Sequence, residues 1–153
     1  MQILARTDII PPTNPIHIKV NGYIVDWTLK RFINKYLPGY EIVYTSRYRD
    51  PDKNIAAGGA SDSAHLYNLA IDFHLLDREG NLITDEWLKN LYDTVIKPNW
   101  THGFSQFEYP NRDDSTAHIH INLDRSKTKL GIVISVVGVG LIAYIGYKFL
   151  NAT

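Results

Sequence analysis

Two short stretches of the chain carry residues that could hold a metal ion. In Ser63-Ala64-His65-Leu66-Tyr67-Asn68-Leu69-Ala70-Ile71-Asp72 a histidine and an aspartate seven residues apart flank an apolar run. In Thr116-Ala117-His118-Ile119-His120 two histidines stand at i and i+2, the spacing that puts both on one face of a strand. Zinc suits such a set, because it takes imidazole nitrogen and carboxylate oxygen, with three protein ligands and one water where the site is catalytic. His65, Asp72 and one of the pair His118 and His120 make that count.

The elements that must position these residues can be read around them. Asn21-Gly22 between two short apolar runs predicts a hairpin of Ile16 to Val20 with Tyr23 to Val25, in which His17 is structural. Asp26 is a fitting N-cap for a helix whose Trp27, Leu29, Phe32, Ile33, Tyr36 and Leu37 recur at helical spacing and face the core, and Pro38-Gly39 stops it. Tyr40 to Thr45 reads as a strand feeding a loop from Ser46 to Asn54. The small, Gly-rich stretch from Ile55 to Ser63 is a loop that lets backbone approach the site. Leu69 to Leu76 is a strand with Ala70, Asp72 and His74 on one face, so that His74 either approaches the metal or supports it by a hydrogen bond. Thr84 caps a helix to about Lys97 with Trp87, Leu88, Leu91, Tyr92 and Val95 as its buried stripe. Gly103 to Tyr109 and Thr116 to Leu123 are further strands, joined by a polar loop from Pro110 to Ser115. Strands and helices without regular βαβ alternation predict an α+β fold, a small antiparallel sheet with flanking helices.

The motif Ser63-x-His65-x-x-x-x-Ala70-x-Asp72 followed by His118-x-His120 resembles the zinc peptidase family of D-alanyl-D-alanine carboxypeptidases, vancomycin-resistance dipeptidases and phage L-alanyl-D-glutamate endolysins. It is also similar to the zinc site of the hedgehog signalling domain, which has the same fold and an Ala-His-Ile-His run. The likeness extends from about Tyr44 to Leu123 and takes in Tyr48-Arg49-Asp50-Pro51, Asn54 and Gly58-Gly59. It departs at Asn68, where the family usually has Gly; Asn tolerates positive φ better than other residues with a side chain. The resemblance implies zinc held by His65, Asp72 and His120, with His118 the ligand instead if the pattern is His-x-Asp. It implies a general base, for which Asp114, Glu108 and His118 are the candidates, and it places Arg49 and Ser63 against the substrate. Arg49 would pair with a substrate carboxylate or carbonyl in a fork that Lys cannot copy. The implied substrate is a peptidoglycan peptide cut near a D-amino acid.

Composition bounds the rest. At 153 residues and 44% hydrophobic content the chain is long enough for one domain with a core and short for two. Zero formal net charge, with Lys and Arg dispersed, argues against nucleic acid as a partner. There is no Cys, hence no disulfide, thiolate ligand or Cys nucleophile. Arg6, Asp8 and the prolines interrupt the start of the chain where a signal peptide needs an unbroken apolar run.

Leu130 to Tyr147 is free of charge, flanked by Arg125, Lys127 and Lys129 before it and Lys148 after it. At about 1.5 Å per residue it spans roughly 27 Å, and with Phe149 and Leu150 it is long enough for a hydrocarbon core of about 30 Å. The expected organisation is an arm at 1–15, a zinc peptidase domain at 16–124, a basic linker at 125–129 and a transmembrane anchor at 130–150. The basic flank places the domain on the cytoplasmic side of a bacterial inner membrane, or the anchor sits in a virion membrane. These features together predict a membrane-anchored, phage-type enzyme of lysis or host penetration. The rival expectation is a membrane or virion structural protein that keeps the zinc and has lost hydrolysis.

Overall fold

The computed structural model describes residues 15–109 and 117–124. Residues 1–14, 110–116 and 125–153 lie outside the described residues, and with them the expected arm except Pro15, the expected polar loop with Asp114, the basic linker and the expected transmembrane anchor. Among the described residues no helix is long and apolar enough to cross a membrane.

Helix α1 runs from Pro15 to Tyr36. The predicted hairpin does not form: Ile16 to Val25 is the first half of this helix, and Asp26 lies inside it rather than at its cap. The reason is tertiary. Val25, Leu29, Phe32 and Ile33 continue a helical stripe into the core, while Asn21 and Gly22 serve a contact and not a turn. The Asn21 side chain donates to the Tyr67 carbonyl at 2.9 Å. A Cβ on Gly22 would lie 2.2 Å from the Asn68 amide nitrogen, so only glycine lets the helix come this close. Trp27 is a second correction. It stands half exposed beneath the Arg31 guanidinium instead of facing the core.

Strand β1 (Glu41–Ser46) follows, then the short helix α2 (Pro51–Ala56), capped by the Asp50 side chain on the Lys53 N–H, where a loop was expected. A 3₁₀ turn, Ala64–Tyr67, leads into β2 (Ala70–Leu76). Thr84 caps α3 (Asp85–Leu91) as predicted, and the helical path continues through a π turn, Tyr92–Ile96, into the short α4 (Lys97–Asn99). That widened turn precedes Pro98, whose ring would crowd the carbonyl four residues back in a regular helix. Trp87, expected in the buried stripe, is half exposed, and its indole N–H donates to the Tyr40 hydroxyl.

Strands β3 (Ser105–Glu108) and β4 (His118–Asn122) complete a four-stranded sheet of order β1-β2-β4-β3, antiparallel throughout. The α+β expectation of a small antiparallel sheet with helices therefore holds. One face of the sheet carries Ile71, Phe73, Leu75, Ile119 and Ile121 into a single core with the α1 stripe, Leu88, Leu91, Tyr92, Ile96 and Trp100. Alternation sends Asp72, His118 and His120 to the other face.

Candidate metal centre

The site is built from the two central strands. Asp72 on β2 stands directly opposite His120 on β4, and side chains so paired lie within reach of each other. His65 comes to them from the 3₁₀ turn just before β2. Asn68 ends that turn in the left-handed conformation, φ 53°, ψ 36°, the role a glycine would fill, and its amide donates to the Ile18 carbonyl at 2.9 Å. The departure from the expected Gly is thus used to tie the turn to α1. Buried Asn54 closes the preceding loop through the Ala60 carbonyl at 2.8 Å. Gly59 packs flat against it, with no room for a Cβ.

His65 Nε2 lies 3.2 Å from Asp72 Oδ1 and 3.3 Å from His120 Nδ1, and His120 Nδ1 lies 2.7 Å from Asp72 Oδ1. All three ligand atoms fall within 4.8 Å of one another. His65 and Asp72 are buried; the His120 side chain is partly exposed, so the group opens to one side. The other ring nitrogen of His65, Nδ1, is 2.6 Å from the Arg47 carbonyl. A carbonyl can only accept, so Nδ1 carries the proton and Nε2 presents its lone pair to the group. Burial alone would push the Asp72 carboxyl up, but the His120 ring, with His65 beside it, outweighs burial and holds the group well below the usual carboxylate range. An imidazole lone pair and a carboxylate oxygen thus converge with a second imidazole in a buried corner. Such a donor set calls for a cation, and two nitrogens with one oxygen suit zinc.

The other expected residues have distinct places. His118 shares the face of His120, and its Nε2 lies 3.2 Å from Oε2 of Glu108, its cross-strand partner on β3. The Arg49 guanidinium, a candidate for binding substrate, contacts Asp72 Oδ2 at 2.7 Å. Ser63 accepts the His65 N–H at 3.4 Å, capping the 3₁₀ turn. His74 stands outside the group. Its Nδ1 accepts the Leu75 N–H at 2.9 Å, and its buried Nε2 is 3.7 Å from Asp85 Oδ1, too long for a hydrogen bond. Sequence reasoning missed the Arg47 carbonyl, Ser46 and Phe104. A backbone carbonyl carries no residue signature; Ser46 depends on a strand irregularity; exposed Phe104, its ring 6.1 Å from that of His120, is one aromatic among many.

Set against known proteins, residues 24–94 match the family model described as Peptidase M15. That stretch includes Arg49, Ser63, His65 and Asp72 and ends before β3 and β4. No curated protein and no solved structure matches the chain.

Proposed function

We propose that the chain, whose residues 24–94 match the Peptidase M15 family model, is a zinc-dependent metallopeptidase that hydrolyses peptidoglycan stem or cross-link peptides near D-amino acids. The observation that carries the reading is the convergence of His65, Asp72 and His120 at one corner of the sheet. These three residues would hold the zinc. When bound, zinc makes water a stronger acid and acts as a Lewis acid on a peptide carbonyl.

The chain's own residues supply the proton handling. His118 is partly exposed beside the ligand His120, and Glu108 holds its ring through Nε2. His118 takes the proton of the attacking water and passes it to the leaving amine, while Glu108 orients the ring and stabilises its cationic form. Asp114, outside the described residues, is the competing base. Phe104 gives the open side of the site an apolar wall.

The choice of peptidoglycan rests on the Ser63-x-His65 and Asp72 motif and its resemblance to cell-wall peptidases. Anchoring rests on the uncharged run from Leu130 to Tyr147. Together they favour a phage-type enzyme of lysis or host penetration held at a bilayer. The test is digestion of purified peptidoglycan by the full chain, with mass analysis of the products. Fragments released with zinc, abolished by a chelator and regained on adding zinc back support the reading; an intact polymer under all conditions rejects it in favour of a structural zinc protein.

A further inference from the structure

The two oxygens of Asp72 have separate surroundings. Oδ1 faces His65 and His120, at 3.2 and 2.7 Å. Oδ2 faces the Arg49 guanidinium, whose Nη2 is 2.7 Å away. Arg49 is itself held: its Nε donates to Ser46 Oγ at 2.9 Å, and its backbone N–H donates to the His65 carbonyl at 3.2 Å. Ser46 is available because the β1–β2 register shifts between Tyr44 and Ser46, which sets Ser46 opposite Asp72. The same segment supplies the Arg47 carbonyl that fixes the His65 ring.

We propose that Arg49 is a positioning residue which, held by Ser46, occupies Asp72 Oδ2 so that the carboxylate offers a cation Oδ1 alone. This rests on the reading of His65, Asp72 and His120 as the metal site. Two of the three guanidinium nitrogens are engaged within the protein, Nε with Ser46 and Nη2 with Asp72, which is not the arrangement of a group held out for a substrate carboxylate. A lysine could not replace it, since an ammonium on a flexible stem cannot span both partners in a fixed plane. Groups that hydrogen-bond to metal ligands set ligand orientation, and their loss typically weakens metal binding about 10- to 100-fold.

The test is titration of the full chain, kept in mild detergent, with cobalt(II), whose visible absorption reports coordination. Arg49→Gln and Arg49→Lys are expected to bind cobalt about 10- to 100-fold more weakly. Their absorption should also be altered and weaker, because the freed Oδ2 can join Oδ1 on the ion and raise the coordination number. Ser46→Ala should shift both readouts in the same direction by less. Cobalt affinity and spectrum unchanged in the Arg49 variants, with KM raised for peptides bearing a free carboxylate, would make Arg49 a substrate anchor and overturn the proposal. If the Arg49 variants fail to fold by thermal melting, Ser46→Ala decides, and an unchanged spectrum there also overturns it. Failure of the unaltered chain to bind cobalt is a different result, rejecting the metal site itself and the proposal with it.

Discussion

At the scale of single residues, the face of β4 separates two jobs by one strand period. His120 joins His65 and Asp72, while His118 pairs with Glu108 across the β3–β4 ladder. His118→Ala is therefore expected to keep the metal and to lose turnover, on the order of a hundredfold or more, as for removal of a general base. Glu108→Gln should lose less, because the imidazole remains. Metal content and steady-state rates on cell-wall peptides, measured on the same preparations, check both; full activity in His118→Ala would pass the role to Asp114. His65, Asp72 and the His118/His120 pair were legible from type and spacing, since alternation on a strand needs no tertiary knowledge. Arg49 was legible as a candidate and its contact with Asp72 was not, because sequence shows a cation and not the carboxylate it faces. Gly22 was read as a turn signal and is a contact. Gly22→Ala should destabilise the fold by about 1–3 kcal/mol through overpacking against Asn68, read as a lowered denaturant midpoint.

At the scale of elements, the longest miss was the first half of α1. Local chemistry at Asn21-Gly22 favours a hairpin, and burial of Val25, Leu29, Phe32 and Ile33 against the sheet overrode it. The helix then carries Asp26 to the Tyr44 hydroxyl on β1, with Lys30 3.0 Å from Asp26 on its other side. This link joins α1 to the strand that runs into Ser46, Arg47 and Arg49. Burial pushes the Asp26 carboxyl up, but hydrogen bonds from Tyr44 and Lys30 and the charges of Lys30 and Arg47 prevail and hold it below its ordinary value. A carboxyl whose folded pKa is depressed stabilises the fold above the unfolded value, ~3.9, and that contribution fades as pH falls through the folded one. Asp26→Asn should accordingly melt below the unaltered chain at neutral pH. The gap between the two should narrow once pH drops below ~4. Thermal melts across acidic pH test this, and a gap that widens on acidification would contradict the assignment. The strands and α3 were predicted closely because hydrophobic periodicity and the Thr84 cap agree with tertiary packing there, whereas α2 was hidden by its brevity.

At the scale of the whole molecule, a domain built around one core is followed in the sequence by a long apolar run. If the tail is the anchor, Leu141→Arg in its middle should release the chain from membranes into the carbonate-soluble fraction, since a central Arg costs about 2.5–3.5 kcal/mol on insertion scales. Extraction of the unaltered chain by carbonate would remove the anchor from the account and leave the site untouched. The site is the central claim, and metal content tests it most directly. Zinc per chain, measured by elemental mass spectrometry on the purified full chain after dialysis against trace zinc, should be about one, and should fall to near zero in His65→Ala, Asp72→Ala and His120→Ala, because two remaining ligands cannot hold the ion. Equal zinc in the unaltered chain and all three variants would contradict the claim.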